Sequence, residues 1–291
     1  MENEQTAAVN DIQHYIREHL KDPITLANLA KHVHYSPWYT AKLFKEATGK
    51  TIFEYLRALR LSAAAKALWD EDKKVVDVAL DFTFDSHEGF TRAFAKQFDI
   101  TPKAYQKHPI PLPFFTPFDV VGDVGKEIYP METKAVFVQI MERPKRKAII
   151  RRAKEAKDYF AYCEEVDCSI WGVFTSIKEA IGEPIGMWLS DVLRKKGTSV
   201  YVQGVEVPLD YHGDIPEGCE LIELPATQMM IFQGEPYDDA NFESEVSAVM
   251  EYVARFNPRV YGYEYDDKGY RFQYEPQGYR GYIEGRTVKK I

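Results

Sequence analysis

Lys42 and Arg92 are cations standing 50 residues apart, and each is followed two places on by a phenylalanine, Phe44 and Phe94. The same spacing relates Ser36 to Ser86, Thr51 to Thr101 and Tyr55 to Tyr105. A cation held out from a helix whose other side is pinned to a core is suited to a phosphate or a base edge. A second pair of stretches carries different chemistry. Residues 201–207 read YVQGVEV and residues 282–288 read YIEGRTV, 81 positions on. Glu284 stands where the first copy has Gln203, and Glu206 lies on the first copy. A carboxylate partly removed from water and set among aromatic rings attracts organic cations.

Helices must position the first set. VNDIQHYIREHL places Val9, Ile12, Ile16 and Leu20 at helical spacing. TLANLAKHV follows with Thr25 as N-cap. SPWYTAKLFKEATG opens on Ser36 as N-cap with Pro37 in the first turn, and Gly49 is the stop. TIFEYLRALRLSAAAKALWD is a long amphipathic helix, and VVDVALDF, SHEGFTRAFAKQFD and TPKAYQK repeat the pattern. HPIPLPFFTPF then sets four prolines between Pro109 and Pro117, which no helix continues through, and marks a linker over 108–126.

Beyond it, runs such as AVFVQI, KAIIRR, QMMIF and RFQY read as strands, with helical stretches at about 157–180 and 239–256. Sliding the chain by 81 superposes Glu142 on Glu223, Pro144 on Pro225, Ile150 on Ile231, Asp158 on Asp239, Glu183 on Glu264 and Gly197 on Gly278. Internal repeats at about 136–207 and 217–288 are the expectation. The fold class is therefore multidomain: an all-α tandem helix-turn-helix domain over 1–107, then an α+β duplicated domain with an antiparallel sheet and a pseudo-two-fold over 127–291.

Charge separates the halves too. Residues 1–108 carry 15 Lys/Arg against 15 Asp/Glu, and the remainder carries 22 against 30, the source of the net charge of −8. The acidic half repels nucleic acid and favours cationic small molecules. No 18-residue apolar run spans a membrane, and MENEQTAAVNDIQ has no signal-peptide pattern, so the expected location is cytoplasmic. Cys163, Cys168 and Cys219 read as free thiols. His32 and His34, and Cys163 and Cys168, lack the partners a metal needs, so no metal or cofactor is expected.

LAKHVHYSPWYTAKLFKEATGKTIFEYLRALRL and VVDVALDFTFDSHEGFTRAFAKQFDITPKAY, within residues 9–107, resemble the DNA-binding domain of the AraC/XylS family of transcription regulators. The likeness includes the core Phe90, Arg92 and Phe94 and the closing FDITPKAY. It implies base-contacting positions at Trp38, Ala41 and Lys42 and at His87, Glu88, Thr91 and Arg92, with Lys45 and Lys96 on phosphates. The family's inter-helix turns carry glycine where this chain has His34 and Thr83. Residues 127–291 resemble the GyrI-like effector-binding domain; EGRTVKK at 284–290 keeps the Glu, Val and Lys of its last strand but not the Trp or Pro. That resemblance implies a cleft that binds lipophilic cations, with Glu284 the first carboxylate candidate, Glu206 the second, and Trp171, Trp188, Tyr201, Phe232, Tyr263 and Tyr282 as walls. The expectation is a one-component, multidrug-sensing transcription regulator, not an enzyme. Its partners would be double-stranded DNA, a small-molecule effector and RNA polymerase. The alternatives make the second domain a protein-interaction module or a small-molecule hydrolase.

Overall fold

The computed structural model describes residues 3–70, 72–117 and 135–291, and these fall into two compact units, one up to residue 117 and the other from 135 on. Residues 118–126 of the expected linker, and the expected domain start at 127, lie outside the described residues.

The first unit is helical: α1 (Asn3–Glu18), α2 (Leu26–His32), α3 (Pro37–Thr48), α4 (Ile52–Ala67), α5 (Val75–Asp81), α6 (His87–Phe98) and α7 (Pro102–Lys107). Side-chain caps set most of the starts. Thr25, Ser36, Ser86 and Thr101 each accept a backbone N–H three residues on, and Thr51 with Glu54 forms a full capping box. Val9, Ile12 and Ile16 are buried with Leu43, Phe44 and Tyr55 in one core. Phe90, Phe94, Phe98 and Tyr105 fill a second. The helix α4 supplies both cores, from Ile52 to Leu59 in the first and from Leu61 to Ala65 in the second. Part of the proline run packs back on this unit. Leu112 and Phe114 are buried in the second core, and the Phe115 amide donates to Ser62 Oγ at 2.8 Å. The prolines stop α7 without freeing the chain, because apolar residues alternate with them.

The second unit holds β1 (Val136–Arg143), β2 (Arg146–Arg152), α8 (Tyr159–Val166), α9 (Ile170–Thr175), β3 (Ile185–Leu189), β4 (Tyr201–Val207), β5 (Glu220–Leu224), β6 (Thr227–Gly234), α10 (Phe242–Arg255), β7 (Tyr263–Tyr265), β8 (Tyr270–Tyr274) and β9 (Ile283–Lys290). All strands join one antiparallel sheet in the order β1-β6-β9-β8-β3-β4-β2-β5, with β7 also on β9. Only three residue steps join Arg143 in β1 to Arg146 in β2, yet six strand spacings separate those strands. A flat sheet would put them roughly 29 Å apart, while three steps span about 10 Å. The connection from Leu224 in β5 to Thr227 in β6 makes the same demand. The sheet must therefore curl. One face lies under the helices: Ile149, Tyr201 and Val205 pack with Tyr162 and Phe174, and Met230, Phe232 and Tyr282 pack with Val249 and Val253. The other face is the inside of the curl, where Ala148, Met187, Met229, Ile231 and Phe272 bury one another with no helix residue among them.

Two local expectations change. The stretch 157–180 is two short helices, because Asp167 turns the chain at φ 85° and caps the next turn through Ser169. The cysteines expected as free thiols include a pair: that turn brings Cys163 and Cys168 to a Cα separation of 4.8 Å, and they form a disulfide, while Cys219 remains a thiol.

Candidate functional site

In the first unit, α2 with α3 and α5 with α6 are two helix-turn-helix pairs. The turns bend at His34 (φ 58°) and Thr83 (φ 57°), left-handed values adopted without glycine. On α3, Trp38 is 71% exposed, and Lys42 and Lys45 face solvent beside it while Ala41 is half-buried. Lys42 Nζ lies 5.5 Å from the Trp38 ring centre and 3.9 Å from Glu46 Oε1. On α6, His87, Glu88, Arg92 and Lys96 are exposed and Thr91 is half-buried. The nine expected positions therefore form two outward faces, each backed by a phenylalanine core. An open groove of about 410 Å³ runs between α4 and the α5–α6 turn, lined by Arg57, Arg60, Ser86 and Arg92 among others. Arg60 is tied down, donating to the backbone oxygens of Leu20 (2.9 Å) and Asp22 (2.7 Å). Arg57 is exposed. The sequence reading missed it; its signal was the R-x-x-R spacing in LRALRL.

In the second unit the two carboxylates lie on opposite faces of the sheet. Glu284 pairs with Phe232 across β6 and β9, on the helix-covered face. Its exposure is 0%. Arg271 Nη2 and Arg286 Nε each reach one of its oxygens at 2.6 Å, and the Tyr282 hydroxyl donates to Oε2 at 3.1 Å. Burial, then the Glu284 charge, pushes the Tyr282 hydroxyl far above its ordinary range, which keeps it a donor. Trp188, Tyr201, Phe232 and Tyr282 share this face, and each packs with a helix or with a neighbour that does. Trp171 is buried in α9 itself, and Tyr263 packs at the α10 cluster. Seven of the eight expected effector contacts thus lie on the helix-covered side of the sheet or in the helix packed there. The reason is the period-two alternation of strands: Gln203 and Glu284 share a face, and the next residue turns inward.

Glu206 does point inward. It pairs with Ala148 across β4 and β2, and Ala148 belongs to the interior cluster. Arg143 Nη2 donates to its Oε2, Arg146 Nε lies 3.0 Å from its Oε1, and the Tyr270 hydroxyl donates to Oε1 at 3.3 Å. Burial and the adjacent Glu206 raise the Tyr270 hydroxyl well above its ordinary range. Arg143 and Arg146 were missed from sequence, where they read as part of a basic run.

Two capped helix-turn-helix pairs with cation-bearing outward faces have the architecture of a DNA-binding domain. A family model described as a helix-turn-helix domain matches residues 29–108. The right origin-binding protein of Escherichia coli K12 is 41% identical over 106 residues, covering 36% of this chain and 37% of that protein. The regulatory protein SoxS of E. coli K12 is 35% identical over 98 residues, covering 34% of this chain and 92% of SoxS. Among solved structures, an AraC-type transcriptional regulator from Chromobacterium violaceum is 24% identical with a TM-score of 0.33, over 35% of this chain and 95% of that one. The chain belongs to the AraC/XylS family of transcription regulators. It matches little more than a third of the length of the right origin-binding protein.

Proposed function

We propose that the chain is a one-component regulator: α3 and α6 enter successive major-groove segments, and the curled sheet binds a small organic effector that biases DNA affinity or contact with RNA polymerase. The observation that carries the DNA reading is the pair of exposed cation-bearing faces, Lys42 and Arg92, at equivalent places on two capped helices. Arg92 reads guanine, and Lys45, Arg57 and Lys96 hold phosphates. Footprinting on the chain's own promoter tests it: Lys42→Ala and Arg92→Ala should each weaken protection of one segment. Protection unchanged in both variants would remove the groove assignment.

We further infer a duplication in the second unit. Exchanging β1 with β5, β2 with β6, β3 with β8 and β4 with β9 turns the strand order into its own reverse, as a two-fold axis between β3 and β8 would. The shift of 81 carries β2 onto residues 227–233 of β6, and β4 onto 282–288 at β9. The axis passes through the sheet interior, so an effector site there meets both copies. Glu206 is its carboxylate, and the matching position in the second copy is Thr287, which makes the interior asymmetric. The hydrolase alternative finds less support, because both oxygens of Glu284 and both of Glu206 already meet arginines.

A further inference from the structure

We propose that the interior of the curled sheet contains a slot for a planar organic monocation of the guanidinium or amidinium class, and that Arg143 of β1 fills this slot when no ligand is present. This rests on the effector-binding reading above and names the ligand class and its competitor.

The slot is built from groups on strands far apart in the chain. Glu206 on β4, 5% exposed, supplies the carboxylate. Phe272 on β8 presents its ring 5.1 Å from the Arg143 guanidinium carbon. Met229 on β6 sets its sulfur 3.8 Å from Arg143 Nη1. A carboxylate, an aromatic face and a polarisable thioether around a flat cation would hold a free arylguanidinium on the same terms.

The two arginines on Glu206 differ in how firmly they are held. Arg146 is 3% exposed; its Nη1 donates to the Pro144 oxygen at 2.7 Å and its Nη2 to the Tyr270 hydroxyl. Arg143 ends β1, its side chain is 13% exposed, and its polar contacts are Glu206 and the Met229 sulfur. It therefore enters from the rim and can leave without breaking the framework. With Arg143 withdrawn, Glu206 and Arg146 balance each other, and one Glu206 oxygen stands open beside the Phe272 ring. A monocation restores the original charge count there, whereas an anion would meet the open oxygen and be repelled. Arg143 thus acts as a tethered competitor, at an effective concentration of order millimolar, as for short tethers generally. Displacing it disturbs the connection that joins the two ends of the sheet, a route by which occupancy changes the unit's shape.

The test is calorimetric titration of the full chain with phenylguanidinium, using Arg143→Ala and Arg143→Met, each alone and combined with Glu206→Gln. The Met variant keeps an apolar stem against Phe272, so the measurement survives if the Ala variant folds poorly. Both single variants should bind about tenfold or more tightly than the unsubstituted chain, matching removal of a tethered competitor, and Glu206→Gln should abolish the gain. If the unsubstituted chain binds as tightly as the variants, Arg143 does not fill the slot, and the effector reading stands without it. If the chain binds tetraphenylphosphonium but no variant binds phenylguanidinium, the slot is overturned and the effector reading again stands. If neither cation binds to any of the proteins, both fall.

Discussion

Arg271 ties β8 to β9 through Glu284: its Nη2 donates to Glu284 Oε2 at 2.6 Å while its guanidinium lies 4.1 Å from the Trp188 ring centre. One side chain thus joins a buried carboxylate to an aromatic ring on β3. With Arg286 on the other oxygen, Glu284 is the charge that holds two cations against the sheet.

Replacing Glu284 by Gln should therefore act on stability first. Removing one member of a buried ion pair typically costs about 3–5 kcal/mol; the partial exposure of both arginines puts this case near the lower end, about 3 kcal/mol. Denaturant unfolding of the full chain, followed by near-UV dichroism, measures it. A variant as stable as the parent that had lost effector binding would return Glu284 to the role of ligand contact.

Arg92→Ala should lower operator affinity by about 1–3 kcal/mol and relax preference at one base position, as expected for loss of a bidentate guanine contact. Lys96→Ala should weaken all sequences alike and reduce the slope of log affinity against log salt by about 1. Fluorescence anisotropy at several salt concentrations separates the two outcomes; identical behaviour in both variants would contradict the division into base and phosphate contacts.

Thr83 sits at φ 57° in the second inter-helix turn, a conformation costing a β-branched residue roughly 1–2 kcal/mol. Glycine removes that cost but loses about 0.5–1 kcal/mol in chain entropy. Thr83→Gly should be net stabilising by about 0.5 kcal/mol, since these two figures bracket the difference. Thermal unfolding that shows a lower midpoint would mean that the Thr83 hydroxyl bond to the Phe82 oxygen outweighs the strain.

Glu165 accepts the backbone N–H groups of Lys154, Glu155 and Ala156, and the bond from Lys154 leads in holding its carboxyl below the ordinary value of 4.5. A depressed folded value stabilises above the unfolded one, so this contribution is complete above about pH 5 and is lost as acid protonates the folded carboxyl below 4.5. Near neutral pH, Glu165→Gln should be less stable than the parent, and the gap should close on acidification. A gap independent of pH would assign the effect to packing.

Much of the first unit was legible in the sequence because its signals are local. Ser36, Thr51, Ser86 and Thr101 cap the helices they precede, and the spacing of 50 between Lys42 and Arg92 already placed both on second helices with a phenylalanine behind. The exposure of Trp38 was not legible in the same way, since a helix's own sequence does not say what packs against it; the neighbours of α3 leave it 71% exposed. Arg57 was passed over for the same reason, because the groove beside it exists only once α4 meets the α5–α6 turn.

In the second unit the sequence determined, through the period of two along YVQGVEV, that Gln203 and Glu206 take opposite faces of one strand. It did not determine which face lies under the helices and which closes on itself. That follows from strand order: two connections of three residue steps each must bridge six strand spacings, and only curling the sheet allows it. The curl brings Arg143 of β1 to Glu206 of β4 and Phe272 of β8, residues that no local pattern connects. The period of two assigned side chains to faces, and tertiary structure alone decided what each face meets.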